Sequence, residues 1–121
     1  MKIKSMIILI AASVLLTSAC SFQNNVEELS TGKYVMQNAE DEDWAWVLLE
    51  DENQFQFNRN IATSYIPMGT YFVENDELLL TVNENEIYKF KIKGNTLIFE
   101  SGKYAESLVE IGTVFELTKY K

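Results

Sequence analysis

Ile87-Tyr88-Lys89-Phe90-Lys91-Ile92-Lys93-Gly94-Asn95-Thr96-Leu97-Ile98-Phe99-Glu100 is a pair of alternating apolar and polar runs joined by a Gly-Asn step. Successive side chains of a strand point to opposite faces, so Tyr88, Phe90 and Ile92 share one face and Lys89, Lys91 and Lys93 share the other. Gly94-Asn95 suits a two-residue hairpin turn, which needs positive φ. It returns the chain with Leu97 and Phe99 facing the same way as Phe90. One apolar face and one charged face on adjoining strands mark an antiparallel sheet with a core on one side.

The same grammar extends in both directions. Upstream, residues 54–58 alternate strictly, with Phe55 and Phe57 inward. Residues 69–74 and 78–82 read as strands around a tight Asn75-Asp76 turn, and Asn83-Glu84-Asn85-Glu86 turns the chain again. Residues 44–50 form a strand apolar on both faces, with Trp44, Trp46 and Leu48 on one and Ala45, Val47 and Leu49 on the other. Residues 33–37 make a first strand, followed by an acidic loop over residues 39–43. The only proline, Pro67, lies in residues 61–68, which reads as a connection or an edge rather than a central strand. Downstream, residues 101–112 stay open between a short strand around Tyr104 and a helical turn beginning at Ala105. Residues 113–118 close the domain with Phe115 and Leu117 inward. The expected fold is all-β, an antiparallel up-and-down meander of about eight strands closing into a small barrel, because closure removes exposed strand edges. An interior of about eight strands is either filled by side chains or holds one small ligand.

The N-terminal residues carry an address. Lys2 and Lys4 precede an apolar run over residues 6–16, interrupted only by Ser13. Eleven residues are too few to span a bilayer, which takes about 20. The run ends in Thr17-Ser18-Ala19 and then Cys20, the only cysteine. Small residues before a cysteine resemble the lipobox of bacterial lipoproteins, in which the thiol receives a diacylglyceryl group and begins the mature chain. The expected organisation is a lipoprotein signal peptide over residues 1–19, a lipid-anchored tether over residues 20–30 and the barrel over residues 31–121. Two or more palmitate-like chains anchor stably where one alone is marginal. The expected location is the cell membrane, on its extracytoplasmic face. Ten tether residues reach about 17 Å as a flexible coil and at most about 35 Å when stretched. A helical turn over residues 25–29, capped by Asn25, fits within that span.

Composition narrows the chemistry. The 102 residues from Cys20 onward suffice for one domain. They carry 8 basic and 18 acidic residues, a net charge of −10, which makes nucleic acid a poor partner and repels an anionic membrane. Contact with the membrane is therefore expected through lipid alone. Histidine is absent, which removes the usual neutral-pH base, the usual zinc ligand and every Ser-His or Cys-His nucleophile. The expectation is a protein that is not an enzyme, with no cofactor and no metal. Acid-rich turns at residues 40–43, 50–52, 74–77 and 84–86 read as solvated, since none has calcium-loop spacing. Residues 22–86 sum to −12 and residues 87–121 to +2, so the charge is divided along the meander. The Lys89, Lys91 and Lys93 ladder reads as a solvated outer face.

Thr31-Gly32-Lys33-Tyr34 at the head of the first strand resembles the Gly-X-Trp opening of lipocalins, with Tyr34 at the tryptophan position. Together with Phe55-X-Phe57, Gly69-Thr70-Tyr71, Leu78-X-Leu80 and the hairpin quoted above, it is similar to small lipocalin-like lipoproteins of Gram-positive bacteria. The resemblance implies a lipocalin-like barrel that binds a small apolar ligand or a surface partner. Most of the aromatic residues must form core in a domain without disulfides. Tyr34, Trp44, Trp46, Tyr65, Tyr71 and Tyr88 are the candidate ligand-binding residues, and Cys20 is the lipidation site. Two other roles fit an acidic anchored domain: an immunity-type lipoprotein intercepting a cationic antimicrobial peptide, or an accessory subunit docking on an exported enzyme or transporter. The docking contact would be the two-faced strand at residues 44–49 and the Ile66-Pro67-Met68 loop.

Overall fold

A computed structural model describes residues 29–118. Cys20, the signal peptide expected over residues 1–19, the helical turn expected near Asn25 and most of the expected tether lie outside the described residues. Within them the chain forms eight strands: β1 (Gly32–Met36), β2 (Trp46–Glu50), β3 (Gln54–Asn58), β4 (Met68–Glu74), β5 (Glu77–Asn83), β6 (Glu86–Lys93), β7 (Thr96–Ser101) and β8 (Val114–Leu117). Each pairs antiparallel with its neighbours in sequence, and β1 pairs with β8, so the sheet closes into an up-and-down barrel.

Alternation and turn chemistry set the register. In the β6–β7 hairpin Phe90 opposes Phe99 and Ile92 opposes Leu97, and Gly94 turns the chain at φ 62°. Asn75 and Asp76 both adopt left-handed φ, 51° and 64°, which is the mirror-image turn whose twist matches the flanking strands. β2 begins later than alternation suggests. Trp44 donates its backbone N–H to the Asp41 carbonyl (2.9 Å), so Trp44 belongs to the bend rather than the ladder. Ala45, Val47 and Leu49 face the core, whereas Trp46 and Leu48 are half-buried on the other side and Trp44, half-buried in the bend, packs against the edge of the core.

Inside, the aromatic rings touch across the barrel. Phe57 on β3 packs edge to face on Tyr88 (5.0 Å between centroids) and Phe90 (5.5 Å) of β6, and on Phe115 (6.3 Å) of β8. Phe90 in turn meets Phe99 at 5.5 Å and Phe115 at 5.7 Å. β3, β6 and β8 are not neighbours in the sheet, so these contacts span the interior and fill its middle. All five side chains are fully buried. Such burial contributes about 1.5–3 kcal/mol for each large apolar side chain, and edge-to-face pairing adds about 0.5–1.5 kcal/mol.

Up-and-down connectivity sorts the connections between two ends. Residues 29–31, 51–53, 75–76 and 94–95 lie at one, here the tether end. The longer connections at residues 37–45, 59–67 and 102–113, with the short turn at residues 84–85, lie at the other, the loop end. Residues 102–112 form a helical turn rather than a strand: the N–H groups of Glu106 and Val109 donate to the carbonyls of Gly102 (3.1 Å) and Ala105 (2.8 Å). Ala105 and Val109 are buried in the core, so this segment plugs the loop end.

Candidate functional site at the loop end of the barrel

Two charged residues are buried where the loops meet. Glu86 opens β6 and stands in the same alternation as Tyr88 and Phe90, so its carboxylate turns inward. It accepts the Tyr88 hydroxyl at Oε2 and the Tyr65 hydroxyl at Oε1 (3.0 Å). Arg59, just past β3, is only 8% exposed. Its Nη1 donates to the Tyr104 carbonyl (2.7 Å) and its Nη2 to the Tyr65 carbonyl (3.3 Å), and the guanidinium carbon lies 5.2 Å from the centre of the Tyr65 ring. Arg59 Nε has no partner among the described residues. One arginine therefore ties the residue 59–67 connection to the helical-turn plug, and Glu86 pins the same connection to β6.

Burial, then the hydrogen bond to Glu86 and its charge, raises the Tyr88 phenol above its ordinary value. The same causes raise Tyr65, opposed in both by Arg59. The phenols therefore remain protonated donors near neutral pH, and the cluster braces the loop end. Gly102 makes the brace fit. Its φ is 153°, and a Cβ there would lie 2.5 Å from Tyr88 Cδ1.

The six candidate ligand-binding residues fall in three places rather than on one wall. Tyr34 is fully buried toward the tether end, where its hydroxyl donates to the Ser30 carbonyl (2.6 Å), and burial followed by the nearby Tyr71 pushes its pKa up to about 12. Tyr71 is 8% exposed and is raised by burial and then by Asp51. Tyr65 and Tyr88 meet on Glu86 at the loop end. Trp44 and Trp46 are half-buried outside the lumen, Trp44 packing against the edge of the core.

Beside Trp44 lies an open cleft of about 240 Å³, lined by Met36, Asn38, Ala39, Glu40 and Trp44. Its lip is the acidic loop, which is internally ordered. Asp41 Oδ1 accepts the Asp43 N–H (2.8 Å), and Asn38 takes left-handed φ at 63°. Among the described residues no group of three or more acidic side chains converges in a way that would hold a metal ion.

No protein-family model, curated protein or solved structure matches this chain. Its chemistry is read from the site, since a barrel by itself specifies no activity. Sequence reasoning passed over Arg59 and read Glu86 as part of a solvated acidic turn, whereas Glu86 opens β6 and is buried with its carboxylate on two phenols. Arg59 is the only arginine in the chain, and extending the alternation of Tyr88 and Phe90 one step back would have turned Glu86 inward.

Proposed function

We propose that the protein is a lipid-anchored, extracytoplasmic, non-enzymatic binding module that engages a protein partner on the outside of its barrel. The observation that carries the outside over the inside is the contact of Phe57 with Phe90 and Phe115 across the lumen. A ligand lodged there would have to displace rings packed at interior density, and overpacking or moving a core side chain costs several kcal/mol. The anchor rests on the apolar run before Cys20 and the small residues beside it. With the chain entering β1 at the tether end, an anchor at Cys20 turns the loop end away from the membrane. The lack of histidine supports a module that binds rather than reacts.

The test is made on the full chain and on Cys20→Ala, produced in a bacterium that processes lipoproteins. The parent is expected to partition into detergent with the mass of an acylated chain beginning at Cys20, and Cys20→Ala to remain aqueous. Denaturing extraction of the purified parent should release no stoichiometric apolar compound. Release of such a compound would return the binding site to the interior, and equal partitioning of the two proteins would remove the anchor.

A further inference from the structure

The chain already shows how its tryptophans hold a cation. Lys33 Nζ sits 5.3 Å from the centre of the Trp46 ring and 3.2 Å from Asp43 Oδ1, so one lysine is gripped by an aromatic ring and a carboxylate together. Two residues earlier, Trp44 repeats the first half of that arrangement. Ala45 between them is buried, Trp46 lies on the outer side of β2, and Trp44, in the bend before the strand, packs against the edge of the core with part of its ring at the surface. Trp44 lines the cleft of about 240 Å³, and Glu40 lines it too. Among the described residues, Glu40 accepts no hydrogen bond and joins no ion pair. The second ring is half-buried and the second carboxylate exposed, and both line an open cleft, whereas the first pair is served from within the chain.

Resting on the outer-surface reading above, we propose that the Trp44–Glu40 cleft docks a lysine or arginine side chain of a cationic peptide. The size fits one side chain. Pockets for whole small ligands run to about 300–1,000 Å³, and this cleft is smaller and open on one side. Met36 and Ala39 give apolar contact for an alkyl stem, Trp44 a π face for the cation and Glu40 a charge partner. Asn38 adds an amide at the wall. The acidic loop supplies long-range attraction, because Glu40, Asp41, Glu42 and Asp43 are adjacent and, among the described residues, only Asp43 is paired with a lysine. The ordering of that loop by Asp41 means that little freedom is lost on binding.

The experiment uses the full chain in a non-ionic detergent, titrated into fluorescein-labelled hexalysine amide and read by anisotropy. Hexalysine acetylated on every ε-amine serves as the uncharged probe of the same shape. Glu40→Gln should weaken binding of hexalysine about fivefold, the upper range for one exposed charge contact. Trp44→Ala should weaken it about tenfold, with partial recovery in Trp44→Phe. Glu52→Gln, on the acidic turn at the tether end, should leave it unchanged, and the acetylated peptide should not bind. Glu40 is exposed, so Glu40→Gln retains the parental unfolding midpoint and its result stands even if Trp44→Ala is less stable. Equal weakening by Glu40→Gln and Glu52→Gln, which would reveal only diffuse attraction to net charge, overturns the cleft. So does an acetylated peptide that binds as well as the parent, or hexalysine that does not bind. None of these readouts depends on the anchor or on an empty interior, so loss of the cleft and loss of the outer-surface reading are separate results.

Discussion

The Phe57 and Phe90 rings meet edge to face at 5.5 Å, although their strands stand three positions apart in the closed sheet. A barrel in which such strands touch is a solid body with a surface to offer. Truncating Phe90 to Ala should therefore cost about 3–5 kcal/mol by denaturant unfolding, because it opens a cavity that the surrounding rings cannot fill. Phe72, on the outer face of β4 and 48% exposed, should cost less than about 1 kcal/mol when cut to Ala. Similar losses at the two positions would contradict a filled interior.

Arg59 should be a structural clamp. Replacing it with Met keeps the apolar stem but leaves the Tyr65 and Tyr104 carbonyls without their donor, at an expected cost of about 2–3 kcal/mol. Lys should not restore this fully, since one ammonium does not reproduce a planar fork reaching two carbonyls. Amide exchange provides the check: residues 102–112 should exchange faster in Arg59→Met, while the β6–β7 hairpin stays protected.

The tyrosines make stability fall at alkaline pH. A phenol whose folded pKa lies above the unfolded value holds its proton more tightly in the native state. That stabilisation is fully present below the unfolded pKa and is lost as pH rises through the folded one. For Tyr34 the window runs from the ordinary 10.0 to about 12, the shift arising from burial and then from Tyr71. Tyr88 shifts in the same direction and adds to the decline. Unfolding midpoints should be level with respect to these groups near neutrality and drop above pH 10.0. Tyr34→Phe should lose some stability at neutral pH with its Ser30 bond, yet show a shallower alkaline drop. An unchanged slope in that variant would speak against Tyr34 as a source.

Two glycines should respond differently to alanine. Gly102→Ala meets both a φ that L residues rarely adopt and Tyr88 Cδ1 at 2.5 Å, and should cost about 2–3 kcal/mol. Gly94→Ala in the hairpin turn meets nothing within 4 Å, and its cost should stay near about 1 kcal/mol, the strain of a left-handed residue alone. Thermal melts of the two variants side by side decide the matter.

The barrel was legible in the sequence wherever one face of a strand is core and the other is water. Residues 87–99 gave their own register, and the eight strands fall where alternation and turn residues put them, with ends shifted by a residue or two. The loop end was not legible, for a physical reason. Whether Arg59, Ala105 and Val109 are buried depends on which connections the closed sheet brings to one mouth, and no local period records that. The tryptophans misled in a related way. Residues 44–49 are apolar on both faces, so alternation could not choose between them, and the Asp41 carbonyl that holds Trp44 in the bend is itself part of an irregular loop.

Closure of the sheet has a kinetic side. Every pairing but one joins successive strands, so most of the barrel zips from hairpin to hairpin with short loops to close. The exception is the seam, where Tyr34 opposes Leu117 and Met36 opposes Phe115, fastened further by the Thr118 N–H on the Lys33 carbonyl. Loop-closure entropy rises only slowly with length, but almost the whole chain must be present before this last ladder can form. Until β8 arrives, β1 and β7 are both raw edges, and a chain truncated before Val114 would expose two of them at once, a template for self-association rather than a smaller barrel.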